Sequence, residues 1–109
     1  MTRNRLIQSS FWSDDKILKI STESRLLFIA MLTVSDDAGI LRNDDATFKA
    51  QVFPLDKIST DDVEQYKTEL IDKGLILPFI DNRDGNLLFI KNWYKYQYIQ
   101  KPTLSKYKL

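Results

Sequence analysis

The apolar positions change their period several times along the chain, and each change marks an element. Arg3 to Ile7 is short and mixed, and reads as a brief strand or an arm. Phe11-Trp12-Ser13-Asp14-Asp15-Lys16-Ile17-Leu18 predicts a short first helix, capped by Ser10 or Ser13, with Asp14 and Asp15 against its N-terminal dipole. Ser21 or Thr22 opens a second helix. Its Leu26, Leu27, Phe28, Ile29, Met31, Leu32 and Val34 are apolar on most sides, as befits a central buried helix. Asp36-Asp37-Ala38-Gly39 punctuates the chain, and Ile40-Leu41-Arg42 has the length of a short strand. A third helix, capped by Asn43 or Asp44, runs through Phe48, Ala50, Val52 and Phe53 until Pro54 stops it. The fourth has the clearest start: Ser59 is followed three residues on by Asp62, and Val63, Tyr66, Leu70 and Ile71 recur at helical spacing. Lys73 in its last turn and Gly74 just after it form the stop signal.

Leu75 to Ile80 and Leu87 to Ile90 are apolar runs flanking Asp81-Asn82-Arg83-Asp84-Gly85-Asn86, which predicts a β-hairpin. Pro78 confines its strand to a sheet edge or a bulge, because proline has no N–H to donate. Beyond Ile90 the chain is aromatic and basic, and from Pro102 to Leu109 it has no periodicity. The order helix, helix, short strand, helix, helix, hairpin is that of an α+β winged helix. The third and fourth helices form its helix-turn-helix core, the Gly85 hairpin is its wing, and the Ile40 strand completes a three-stranded sheet. Residues 1–99 make this domain, and residues 100–109 form a basic tail or the start of a linker.

Composition narrows the chemistry. The 109 residues are 43% hydrophobic and 28% charged, a profile of one folded domain. Neither cysteine nor histidine occurs. That removes disulfides, thiolate metal sites and every Ser-His or Cys-His dyad, so no enzyme activity and no cofactor is expected. The start leads into no apolar segment, and no run reaches membrane-spanning length, so the expected setting is cytoplasmic. Charge is unevenly spread. Leu6 to Ile90 holds nine Lys or Arg against all fifteen acids, a net −6, whereas the two ends hold seven Lys or Arg and no acid. Basic ends on an acidic body suit contact with a polyanion, and they equally suit simple solubility.

Several segments taken together carry a resemblance. These are Arg3-Asn4-Arg5 leading to Phe11-Trp12-Ser13-Asp14, Ser24-Arg25-Leu26-Leu27-Phe28-Ile29, Asp36-Asp37-Ala38-Gly39, Lys49-Ala50-Gln51-Val52-Phe53-Pro54, Leu70-Ile71-Asp72-Lys73-Gly74-Leu75-Ile76, Lys95-Tyr96-Gln97 and the stretch from Lys101-Pro102 to Lys106. The series resembles the N-terminal winged-helix domain of phage replisome organisers, replication initiation proteins related to the DnaD primosome protein. The resemblance runs from Met1 to about Lys108. It implies binding of origin DNA or loading of a helicase in a bacterial host cell, with self-association and a helicase or helicase loader as partners. Family members usually carry a longer C-terminal region, so the chain is either such an N-terminal domain or a short stand-alone protein.

Candidate DNA-binding residues fall into two groups. By position the fourth helix is the recognition helix, but its outward face is expected to hold Asp61, Asp62, Gln65, Thr68, Glu69 and Asp72, with Lys67 at the margin. That is the wrong charge for a phosphate-lined groove, and Gln65 and Thr68 are its base-reading candidates. The other group comprises the Arg3, Asn4 and Arg5 arm, Arg42, Arg83 at the wing tip, and the tail from Lys91 to Lys108, with Lys91, Lys95 and Lys101 its named contacts. Trp93, Tyr94, Tyr96 and Tyr98 are placed to stack on single-stranded bases or to pack in the core. The acidic pairs Asp14-Asp15, Asp36-Asp37, Asp44-Asp45 and Asp61-Asp62 sit at helix starts and turns, which accounts for them without a metal. Two other readings stand beside DNA binding in replication: a protein-interaction or self-assembly module of the primosome, and a small winged-helix transcriptional regulator.

Overall fold

In the computed structural model, which describes residues 4–99 and 102–107, the chain opens with a 3₁₀ turn at Ser9–Ser13 and a one-turn helix α1 at Asp15–Leu18. The expected single first helix is therefore split. Buried Phe11 anchors the 3₁₀ turn, Asp14 follows in extended conformation, and the cap is Asp14 itself rather than Ser10 or Ser13. Its carboxylate accepts the Lys16 N–H at 2.9 Å.

Helix α2 spans Thr22–Val34 under a Ser21 cap, whose hydroxyl oxygen accepts the Ser24 N–H at 3.1 Å. It buries Ser24, Leu27, Phe28, Met31 and Leu32, but Leu26 faces solvent, so one flank of the expected all-round apolar helix is open. Helix α3, Asp45–Val52, is capped by Asp44 and ends before Pro54. Helix α4, Thr60–Asp72, carries a full capping box. Ser59 Oγ accepts the Asp62 N–H at 3.1 Å, and Asp62 Oδ2 accepts the Ser59 N–H at 2.9 Å. Two orphan donors at one helix end are thereby satisfied, which fixes where α4 begins.

Three antiparallel strands, β1 (Ile40–Arg42), β2 (Ile76–Asp81) and β3 (Gly85–Ile90), form a sheet in the order β1-β3-β2. Pro78 lies on the edge strand β2, opposite Leu88, as its missing donor requires. Residues of α2, α3, α4 and the inner sheet face share one core with Phe11, Ile17, Trp93 and Tyr96. This is the winged-helix architecture, and β2, β3 and their turn are the wing. A last short helix, α5 at Trp93–Tyr96, closes the core: Tyr96 meets Phe28 edge-on, with ring centroids 5.3 Å apart. Among the described residues no helix is long and apolar enough to cross a membrane.

Candidate nucleic-acid interface

The face of α4 that a winged helix would offer to a groove is acidic. Asp61, Glu64, Gln65, Thr68 and Asp72 are exposed. Two of the expected outward residues are committed to the fold instead. Asp62 completes the capping box, and Glu69 Oε2 accepts the Ser21 N–H at 2.9 Å. That bond to the Ser21 N–H holds the Glu69 carboxyl below its usual range. Lys67 is not marginal but buried, 2.6 Å from Asp45 and bonded to Asn43, so it ties α4 to the start of α3. The signal was present: Val63, Lys67 and Leu70 lie at i, i+4 and i+7, one stripe of the helix, and the stripe faces the core. Of Gln65, Lys67 and Thr68, the structure brings only Gln65 and Thr68 to the surface.

Among the described residues, Arg5, Leu6 and Lys95 to Gln97 fold against the body of the domain. Arg5 does not extend as an arm: its guanidinium lies 3.0 Å from Asp37, and the two side chains are 3% and 5% exposed. It also donates to the Ser35 carbonyl at 2.8 Å and stacks 5.1 Å from the centroid of the Trp93 ring. The Gln97 side chain brackets the Leu6 backbone, accepting from its N–H at 3.2 Å and donating to its carbonyl at 2.6 Å. Lys95, expected in a free tail, reaches Asp14 at 2.9 Å, where the Tyr96 hydroxyl also donates at 3.3 Å. The physical reason is neutralisation. A carboxylate that has lost part of its hydration is costly to leave unpaired, and a nearby cation with hydrogen-bond donors offsets that cost; both ends carry cations while the body carries the acids. Burial draws the Asp14 carboxyl upward, but the hydrogen bonds from Lys95, Lys16 and Tyr96 leave it below its usual range. Burial and the neighbouring Asp14 raise the Tyr96 hydroxyl. Asn4 and Lys91 are exposed, and Arg3 and Lys101 lie outside the described residues.

Cations do gather at the wing. The turn between β2 and β3 is shaped by Asp81, whose Oδ2 accepts the N–H groups of Arg83 at 3.0 Å and Asp84 at 2.8 Å. Gly85, with φ of 80°, starts the return strand. Arg83 projects from the tip, and Arg42, at the end of β1, donates to the Asp84 carbonyl at 3.3 Å. Lys106 comes to the same place from the far end of the chain. It lines a cleft of about 320 Å³ with Asp81, Asn82, Arg83 and Asp84. A larger cleft of about 540 Å³ holds it with Arg42 at the edge of β1. Among the described residues none of these three cations forms an ion pair. The sequence offers Lys106 only as part of the basic Lys91 to Lys108 tail, since no local pattern around it announces where it folds.

Trp93 is buried and donates its indole N–H to the Asp37 carbonyl at 2.9 Å, so it belongs to the core together with Tyr96. Of the four aromatics, Tyr94 and Tyr98 are 65% and 78% exposed and face solvent. The acidic pairs act as caps and turn formers: Asp36 Oδ1 accepts the N–H groups of Ala38 at 2.9 Å and Ile40 at 3.0 Å. Among the described residues no three carboxylates converge on a point that could hold a metal ion.

Neither protein-family models nor curated proteins give a match to this chain. A solved structure described as the N-terminal domain of a DNA binding protein is similar in fold. The TM-score is 0.54, with 12% identity over 95% of this chain and 79% of that one. At that identity the similarity is one of architecture, and it agrees with the winged helix built above.

Proposed function

We propose that this chain is a DNA-binding winged-helix module of a replication initiator, and that it grips duplex phosphates from the wing side rather than through α4. The observation that carries this reading is that Arg42, bonded to the Asp84 carbonyl, and exposed Arg83 both stand at the turn between β2 and β3, with no carboxylate paired to either among the described residues. Arginine at a wing tip can enter a minor groove, and arginine beside it can hold the adjoining phosphate. The structurally similar domain comes from a DNA binding protein, which supports DNA as the ligand. The series of segments from Arg3-Asn4-Arg5 to Lys101-Pro102 supports origin recognition, with a helicase or helicase loader as partner. Exposed Asn4 and Lys91 are secondary contacts in this reading.

The acidic face of α4 favours a second role beside this one. Asp61, Glu64 and Asp72 repel phosphate, so that face suits a protein partner or self-assembly within a primosome. Fluorescence anisotropy with a labelled duplex over a salt series tests the first role. Replacing Arg42 and Arg83 by Ala lowers the slope of log affinity against log salt by about two, whereas Gln65→Ala with Thr68→Ala leaves it unchanged. An unchanged slope in the arginine variant, or no binding by the wild type, overturns the reading. Light scattering on the same samples reports assembly without DNA.

A further inference from the structure

The segment Pro102–Tyr107 is tied down at defined points. The Thr103 N–H donates to Asp37 Oδ2 at 2.8 Å, the Ser105 hydroxyl donates to Asp36 Oδ2, and the Tyr107 N–H donates to Ser105 Oγ at 3.0 Å. Both carboxylates are themselves fixed. Asp36 Oδ1 holds the turn between α2 and β1 through Ala38 and Ile40, and Asp37 Oδ1 faces the Arg5 guanidinium at 3.0 Å. The segment therefore runs from this turn to the wing. One residue past Ser105, Lys106 lines the cleft at the Arg83 turn, together with Asp81 and Asp84, and the cleft along β1 that holds Arg42, Asp36 and Asp37, while its ammonium lies 5.1 Å from the centroid of the Tyr107 ring.

We infer that Ser105 is a positioning residue for nucleic acid. Its bond to Asp36 latches the C-terminal segment so that Lys106 completes, with Arg42 and Arg83, a three-cation surface for DNA phosphates. This rests on the DNA-binding reading above. A lysine on an untethered end samples many positions and gains little from any one phosphate. A lysine whose backbone is held in the clefts that Arg42 and Arg83 line meets a phosphate run with less ordering left to do. Asp36 thus serves DNA binding despite its sign, because its charge is directed at a hydroxyl and two backbone donors rather than at the ligand.

Ser105 carries no charge, so replacing it can alter the salt slope only by moving a group that does. The test compares duplex binding of the wild type, Ser105→Ala, Ser105→Thr, Lys106→Ala and the double variant Ser105→Ala with Lys106→Ala across a salt series. Removing one phosphate contact lowers the slope by about one and the affinity by roughly threefold to tenfold near 50 mM salt. Lys106→Ala shows that loss, Ser105→Ala shows most of it, the double variant shows no more than Lys106→Ala alone, and Ser105→Thr, which keeps the hydroxyl, restores the wild-type slope. If the wild type binds and Ser105→Ala keeps its full slope, or if the two losses add, the latch is refuted while the wing reading stands. If the wild type does not bind duplex DNA, both fall.

Discussion

Gly39→Ala should be among the most damaging single-methyl changes in the domain. Gly39 sits at φ of 82°, and a Cβ there would lie 2.8 Å from Trp93 Cγ and 2.9 Å from its Cδ2. The indole cannot step aside without losing its 2.9 Å bond to the Asp37 carbonyl and its contact with Arg5. Two costs combine: roughly 1–2 kcal/mol for a side chain in the left-handed region and roughly 1–3 kcal/mol for overpacking. The total of about 2–5 kcal/mol corresponds to a fall in Tm of roughly 10–25 °C for a domain of this size. Gly85 supplies an internal control. Its φ is 80°, yet a Cβ there meets nothing within 4 Å, so Gly85→Ala should show the backbone cost alone. Urea unfolding followed by circular dichroism, with matched m-values, measures both. Equal losses in the two variants would refute the steric argument and with it the fixed position of Trp93.

Arg5→Ala removes one partner of a buried pair and leaves Asp37 short of its guanidinium, which should cost about 3 kcal/mol in urea unfolding; a loss under about 0.5 kcal/mol would mean that Arg5 is an exposed arm after all. Lys67→Ala should cost about 1–3 kcal/mol by severing α4 from Asp45 and Asn43, while Gln65→Ala on the exposed face stays within about 0.5 kcal/mol; similar losses would contradict the burial of Lys67. Because the Asp14 carboxyl titrates lower in the folded chain than its ordinary value of 3.8, it favours folding above that value and the benefit disappears as pH falls through the folded-state pKa. Asp14→Asn should therefore flatten the acid limb of the stability curve below about pH 4, and parallel curves for the two proteins would contradict the assignment.

Local rules carried most of the fold. Ser59 with Asp62 fixed the start of α4, Gly74 its end, and Gly85 and Pro78 the turn and the edge of the hairpin, because each of these depends on neighbours within a few residues. The first helix was misplaced because three residues there, Ser10, Ser13 and Asp14, have side chains able to cap, and tertiary burial of Phe11 decided among them. The charge map was legible as composition but not as geometry. Basic ends and an acidic body are visible in the sequence, whereas the pairing of Arg5 with Asp37 and Lys95 with Asp14 spans 32 and 81 residues. No local pattern encodes such contacts. The same holds for the segment that carries Lys106, whose Thr103 and Ser105 bond to Asp37 and Asp36 across 66 and 69 residues.

Whether duplex DNA meets the wing or α4 is read most directly from an amide chemical-shift map of the chain titrated with a short duplex. Binding from the wing side shifts Arg42, Asp81 to Asn86 and Thr103 to Tyr107 most and leaves Asp61 to Asp72 little changed. Shifts centred on Gln65 and Thr68, with the wing and the C-terminal segment silent, would contradict it.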